Sequence, residues 1–430
     1  MPPKAVVSIL RQLEGAGYET WCVGGAVRDA LLGHQHLDWD LATAATPQQV
    51  RRLFRRTVPV GIDFGTIGVL DDSGVMHEVT TFRRDVKTDG RHAVVEFGAS
   101  LDEDLARRDL TINAIAFSPV TGAIRDPFAG RMDLQRGVIR AVGNPDERMR
   151  EDRLRALRAI RFAARFGFSV DAATWDAIAR SAPYLDRLSP ERVQQELNKT
   201  MQQVEKPSIA LEMWRRSGAF VSLLPALASV SNSTLLMVDL LRRPFRPAQD
   251  RRRVHRLAAL FSECEPSDAE RALKLVRFSN SESEWIAQTL QRWRRIAPEL
   301  ERALSAECAA SDKDIRSWVA ATGRLRVPAV WRLAAARVCA RNFASLSTSG
   351  FRTIHSTYRR ALKSAAHDAV DLADLAIDGN DLRSAGIPPG RAFGVILQRL
   401  LEYVIEDQSR NKREWLMREA AQLQRELTGS

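Results

Sequence analysis

Residues 4–16 place apolar side chains at Val6, Ile9, Leu10 and Leu13, a helical spacing that Gly15 and Gly17 bring to an end. The apolar run Trp21-Cys22-Val23 then meets Gly24-Gly25 and a helical run from Ala26 to Leu32, which reads as strand, tight turn and helix start. Asp38 to Thr43 reads as a strand, and Thr46-Pro47 opens a helix through Phe54 with an N-cap and a first-turn proline. Residues 66–70 and 75–82 read as two strands joined by the turn Asp71-Asp72-Ser73-Gly74. Arg83 to Arg91 is polar enough to be a loop. Ser100-Leu101-Asp102-Glu103 is a capping box whose helix is expected to carry Arg107 to Ala114. Phe117 to Arg125 reads as a hairpin about Thr121-Gly122, followed by a compact loop in which Asp126 and Asp133 cap turns. Asn144-Pro145 caps one long helix to about Phe166, and Ser189-Pro190 starts another. Beyond about residue 205, amphipathic runs alternate with short breaks and show no fixed repeat. Mixed strands and helices first, then helices alone, predict an α+β chain.

At 430 residues the chain has room for two to four domains. No apolar stretch approaches the roughly 20 residues a bilayer requires, so no membrane partner is expected. Cys22, Cys264, Cys308 and Cys339 are far apart, which argues against a zinc ribbon or a disulfide framework and for a reducing cytoplasm. The net charge is +11, carried mostly by arginine, as in Arg51-Arg52, Arg55-Arg56, Arg242-Arg243 and Arg251-Arg252-Arg253. A polyanionic partner accounts for that balance, and so does codon usage that favours arginine.

The candidate chemistry sits near the N-terminus. A glycine pair before a helix lets backbone N–H groups approach an anion, and Arg28 adds a planar fork suited to phosphate. If Asp38 and Asp40 lie two apart on a strand, both carboxylates face one way and can hold Mg²⁺ beside that turn. Phosphate cradle and metal carboxylates together mean nucleotide chemistry. Glu78 is placed either as a third carboxylate or as a group that orients Arg28.

Gly24-Gly25-Ala26-Val27-Arg28-Asp29 followed by Asp38-Trp39-Asp40 resembles the nucleotidyltransferase superfamily, specifically the class II bacterial CCA-adding enzymes and poly(A) polymerases. Further text supports the resemblance. Read unaided, Arg107-Arg108-Asp109 is an exposed helix face, yet the stretch to Asn113-Ala114 is similar to the family motif that contacts ribose and triphosphate. Asp152, Arg155 and Arg158 alone suggest an ion pair on a solvated helix. Glu151 to Ala163, which includes Arg161, instead resembles the family's base-selecting helix. Asp152 would accept from the amino group of cytosine or adenine while Arg155 donates to the ring nitrogen, a pattern that uracil and guanine reverse. Residues 190–199 are similar to a motif that buttresses this helix. His255 stands where many relatives carry a His-Asp phosphohydrolase element, but no paired Asp follows, so it is expected to be a packing histidine. Residues 84–92 depart from the family's flexible loop. Pro388-Pro389-Gly390 offers either a phosphate seat or simple helix capping.

The resemblance implies a small mixed-sheet head over 1–143 and a helical neck over 144–205. A helical body over 206–370 and a tail over 371–430 that touches tRNA would follow. It implies transfer of CMP and AMP from CTP and ATP to a tRNA 3′ end. Asp38, Asp40 and Glu78 would be catalytic, with Mg²⁺ on the first two. Gly24, Gly25, Arg28, Arg107, Arg108, Asp109, Asn113, Asp152, Arg155, Arg158 and Arg161 would bind nucleotide. A CC-only or A-only enzyme, a poly(A) polymerase and a non-catalytic RNA-binding relic are the competing readings.

Overall fold

The computed structural model describes residues 1–35, 38–88, 93–241, 249–305, 310–342, 348–387 and 390–428. The chain divides into two compact units, 1–228 and 229–430, and the boundary falls inside the segment expected to be the body.

The first unit begins with α1 (Lys4–Gly15), β1 (Thr20–Val23), α2 (Gly25–Leu31), β2 (Asp40–Thr43), α3 (Pro47–Leu53), β3 (Thr57–Gly61), β4 (Thr66–Leu70) and β5 (Met76–Thr81). It continues through β6 (Arg83–Thr88), β7 (Ala93–Phe97), α4 (Leu101–Ala106), β8 (Ala116–Phe117), β9 (Ile124–Arg125) and α5 (Gly130–Arg136). Among the described residues, seven strands form one sheet in the order β3-β4-β5-β2-β1-β8-β9. β2 runs parallel to β5 and antiparallel to β1, so the sheet is mixed as expected. The fully buried Leu41, Ile67 and Val79 sit beneath it with Leu10 and Leu13 of α1. The capping boxes read from the sequence close at Thr46 with Gln49 and at Ser100 with Glu103.

Several expectations are corrected. Residues 83–88 form a strand rather than a loop: they pair antiparallel with β7, which places Arg84 opposite Glu96 at 2.9 Å. Residues 89–92 of that expected loop lie outside the described residues. The helix opened by Ser100 stops at Ala106, so the motif that follows lies on a turn and a short 3₁₀ segment, Thr111–Asn113. Asp126 does cap a turn, taking the amides of Gly130 and Arg131 at 2.7 and 3.0 Å. Asp133 does not: it is buried and accepts from Thr111 Oγ1 at 2.7 Å and from Arg140. Ser189 occupies the N-cap position without making a side-chain capping bond.

The helical part of this unit contains α6 (Pro145–Glu151), α7 (Leu154–Phe166), α8 (Ala172–Ser181), α9 (Pro190–Gln203), α10 (Pro207–Ser217) and α11 (Ala219–Leu223). The expected long helix from Asn144 is therefore two. Asp152 adopts an extended backbone, φ −150°, and ends α6.

The second unit is helical, with α12 (Asn232–Leu240), α13 (Gln249–Leu260), α14 (Pro266–Leu275), α15 (Asn280–Ser305), α16 (Asp312–Thr322) and α17 (Val327–Arg341). After these come α18 (Thr348–His367), α19 (Gly379–Ser384), α20 (Arg391–Glu406) and α21 (Arg413–Thr428). The long α15 packs against α14, α16 and α17, burying Trp293 and Trp331. Ile377, Leu382, Ile396, Leu400, Val404 and Leu416 make a separate small core near the C-terminal end. Asn411, part of the tail text, ties the backbone there by accepting from Ala376 N and donating to Asp374 O, at 2.8 and 2.9 Å. Pro388 and Pro389, the possible phosphate seat, and the Arg242–Pro247 linker lie outside the described residues. No described helix is long and apolar enough to cross a membrane.

Candidate nucleotide site

The turn between β1 and α2 requires glycine for two reasons. Gly24 has φ +75°, which L side chains rarely adopt, and a Cβ there would stand 2.9 Å from Arg108 Nη1. The sequence thus places an arginine fork directly against the glycine bend.

β2 starts at Asp40, not at Asp38. β1 ends at Val23, whose partner is Asp40, and Gly24 turns the chain away, so Asp38 and Trp39 have no strand to pair with. Alternation therefore does not set the direction of Asp38, which is exposed. The parallel pairing of Leu41 with Val79 brings Asp40 and Glu78 to adjoining positions on the side opposite those two buried residues. Burial first, then the charges of Glu78 and Asp38, push the Asp40 carboxyl up to about 6 against the opposing pull of Arg108. This is a concentration of negative charge without matching compensation. Among the described residues no three His, Cys, Asp or Glu side chains converge as a complete metal cage. The donor set still fits Mg²⁺, which is commonly held by one or two carboxylates and completed by substrate phosphates.

The turn after α4 builds the next wall. Arg107 and Arg108 both lean on the buried Asp104, at 3.1 and 3.2 Å. Asp109 takes hydrogen bonds from Leu110 N, Asn113 Nδ2 and Arg158 Nε at 2.9, 2.9 and 2.8 Å. Burial opposes its charge, yet the neighbouring Arg158 and these bonds hold the Asp109 carboxyl down to about 2. Arg28 is buried rather than open to solvent: Nη1 donates to Asn113 Oδ1 at 2.5 Å and Nε to Asp29 at 2.7 Å. Its guanidinium also packs on the rings of Phe162 and Phe166, 4.9 and 5.0 Å from their centroids. Glu78 therefore does not orient Arg28.

The break between α6 and α7 frees Asp152 from the helical row of Arg155 and Arg158 on which the sequence had placed it. One Asp152 oxygen accepts from Leu154 N at 3.0 Å and the other from Arg192 Nη2 at 2.7 Å. Arg155 is not left open for a base. It donates to Glu151 at 2.6 Å, to Arg148 O at 3.3 Å and to Arg107 O at 2.9 Å. Arg161 is buried on Glu196, with Gln203 beyond at 3.4 Å.

These residues meet around one cavity of about 580 Å³. Of the site residues named from the sequence, all but Asp38 line it. Thr66, Thr80, Arg83, Arg165, Lys199 and Gln203 also line it and were not singled out. For the last two a signal existed: Glu196, Lys199 and Gln203 share one face of α9 by their i, i+3, i+7 spacing.

The pattern described as "Poly A polymerase head domain" matches residues 20–140, and "Probable RNA and SrmB- binding site of polymerase A" matches 167–230. The sheet with its cavity is thus a nucleotidyltransferase head. CCA-adding enzymes from Lacticaseibacillus paracasei and Geobacillus kaustophilus are 47% and 45% identical over 205 and 202 residues. Those matches cover 47% and 46% of this chain, and the chain spans about half the length of these relatives, 51% and 50%. The crystal structure of the Bacillus stearothermophilus CCA-adding enzyme in complex with CTP is 30% identical, with TM-score 0.75 and all of both chains covered. The chain belongs to the family of CCA-adding enzymes. A Thermotoga maritima CCA-adding enzyme complexed with tRNA shares the fold at 22% identity, TM-score 0.68, over 98% of this chain and 96% of that one. The nucleotidyltransferase family generally uses a divalent metal ion.

Proposed function

We propose that this chain adds CMP and AMP, taken from CTP and ATP, to the 3′ end of tRNA without a template and with release of pyrophosphate. The observation that carries the reading is Asp40 beside Glu78 on paired strands, facing a cavity walled by Gly24, Gly25 and an arginine fan. The full-length likeness to an enzyme crystallised with CTP supports it.

Asp38 and Asp40 would hold Mg²⁺, with Glu78 beside them. Bound there, the metal supplies Lewis-acid stabilisation of charge on the attacking 3′-hydroxyl and on the leaving pyrophosphate. Arg107 and Arg108, held at their places by Asp104, present cationic forks to the triphosphate next to the glycine bend. Arg28 acts from behind, fixing Asn113 and so the turn that carries Asp109. That turn faces the ribose, where a site built for the 2′-hydroxyl rejects deoxynucleotides because their binding leaves a polar partner unpaired. Asp152, set by Arg192, accepts from the amino group of C or A. Arg155 exchanges the Arg107 carbonyl for the ring nitrogen, and Arg158 locks Asp109 to α7. Arg161 supports this wall through Glu196.

Within this reading the head is 1–143, the neck 144–205, the body 206–370 and the tail 371–430, with tRNA contacts in the tail. The work is cytoplasmic. Purified protein offered tRNAs ending before CCA, at C and at CC, with each labelled nucleotide in turn, tests the proposal. Completion to CCA is expected, with none when a chelator removes the metal. CTP use that stops after two additions would make it a partial enzyme, and long A tails on unrelated RNA a poly(A) polymerase. RNA binding without incorporation would make it a relic.

A further inference from the structure

The break between α6 and α7 also builds a feature outside the cavity. Tyr184, on the 3₁₀ turn Ala182–Arg187 after α8, is 44% exposed and carries two guanidinium groups on its ring. Arg153 lies 4.9 Å and Arg187 5.1 Å from the ring centroid. Arg150, in the last turn of α6, adds a third positive charge close enough to act on Arg153. Among the described residues none of the three forms an ion pair, and Arg153 donates to the neutral Ser181 Oγ at 3.2 Å.

Asp146 attracts Arg150 without a direct contact, but no acid among the described residues pairs with Arg153 or Arg187. Both oxygens of Asp146 are taken by Arg180, at 3.0 Å each. Glu147 and Asp186 are exposed and pair with none of the three. Burial, then the charges of Arg187 and Arg150, pull Arg153 below the usual arginine range. Cation–π contact with an exposed ring offsets only part of such repulsion. Two guanidinium groups on one open aromatic ring, neither paired with a carboxylate among the described residues and with Arg150 adding charge alongside, make a poor structural device and a good anion seat, with planar forks matched to phosphate oxygens.

We propose that Arg153 and Arg187, gathered by Tyr184 and with Arg150 adding positive charge beside them, hold a backbone phosphate of the acceptor RNA strand. This rests on the function proposed above and says where the polynucleotide substrate is gripped. Asp152 lines the nucleotide cavity and the next residue, Arg153, does not. A strand held by Arg153 is thus one residue of chain away from the carboxylate that reads the incoming base. Free nucleotide is the poorer fit, because this seat is open and lies outside that cavity.

The test uses the full chain as wild type, Arg187→Gln, Arg153→Gln/Arg187→Gln and Arg187→Lys, each checked for an unchanged unfolding midpoint. Binding of a tRNA lacking its 3′ CCA is measured between 50 and 200 mM salt (roughly the range over which phosphate contacts dominate). Arg187→Gln should weaken binding severalfold and reduce the salt slope by about 1, and the double variant by about 2. KM for tRNA should rise while KM for CTP stays unchanged, and Arg187→Lys should keep most of the slope. Equal affinity and slope in wild type and both glutamine variants would overturn the proposal. A wild type that incorporates nothing would instead sink the proposed function, since the binding slope is read without turnover.

Discussion

Arg192 reaches back forty residues to hold Asp152, Nη2 to Oδ2 at 2.7 Å, while the other Asp152 oxygen caps the first turn of α7. Both side chains are part-exposed, so the pair contributes under about 1 kcal/mol to stability. Its effect is to aim a carboxylate. Arg192→Ala should leave the unfolding midpoint nearly unchanged and raise incorporation of UMP or GMP relative to CMP by about tenfold. Single-turnover assays with each nucleotide read this directly, and unchanged selectivity would separate Arg192 from base choice.

Asp40→Asn removes one negative charge from the crowded end of β2 at constant shape. Incorporation should fall by more than about a hundredfold, as loss of a metal-linked carboxylate does. Affinity for tRNA should stay within about twofold, and the protein should become no less stable, because a carboxyl pushed up to about 6 is already strained in its charged form. Turnover retained at the wild-type rate would take Asp40 out of the reaction.

Gly24→Ala imposes two penalties at once: a backbone conformation costing about 1–3 kcal/mol and a clash with Arg108. Arg108 can move, so activity is expected to fall further than stability. KM for CTP and the thermal midpoint, measured side by side, decide the matter. An alanine variant with wild-type KM would mean that the bend does not set the triphosphate.

Glu196 neutralises Arg161 where both side chains are almost wholly buried, at 2% and 4% exposure. Glu196→Ala leaves a buried cation between the Phe162 ring and Gln203, with Arg158 and Arg165 repelling it and no carboxylate, and should cost about 3–5 kcal/mol. Denaturant unfolding followed by tryptophan fluorescence measures the loss. A cost under 1 kcal/mol would show that water reaches Arg161 once the partner is gone.

His255 supplies a pH dependence remote from the nucleotide site. Burial against Trp285, helped by Arg332 and Arg251 and opposed by the hydrogen bond to Arg251 O, pulls its pKa down from 6.5 to about 4. A depressed folded value means that the unfolded chain binds the proton more readily. The stabilisation is therefore complete above pH 6.5 and is lost as pH falls toward 4, by about 3 kcal/mol at most. The stability difference between wild type and His255→Gln should shrink by that much between pH 7.5 and 4. A difference constant with pH would mean that the ring is hydrated.

Local chemistry was the readable part of this fold. Gly24, the Thr46 and Ser100 caps and the Asp71 turn follow from rules that act over a few residues. Element ends were misread where distant contacts decide them. Asp38 lost its strand because β1 stops at Val23, and α6 stops where Asp152 turns extended and takes the Leu154 amide that opens α7. Every site residue named from the sequence except Asp38 reaches the cavity, but Thr66, Thr80, Arg83, Arg165, Lys199 and Gln203 also line it, and which arginines are open and which are spent on other side chains was not legible. Arg28, Arg155 and Arg161 take partners up to 85 residues away, and no spacing rule reveals such partners.

The guanidinium of Arg28 rests on two phenyl rings that belong to α7, more than 130 residues further along (roughly a third of the chain). The sheet and the helices after it therefore close a common interior, and neither can be cut away cleanly. A fragment ending at residue 143 would expose the sheltering side of a permanent cation and the apolar seam around it. Such a truncation is expected to come out of the cell insoluble, whereas one ending near residue 228 keeps both rings and should stay in solution.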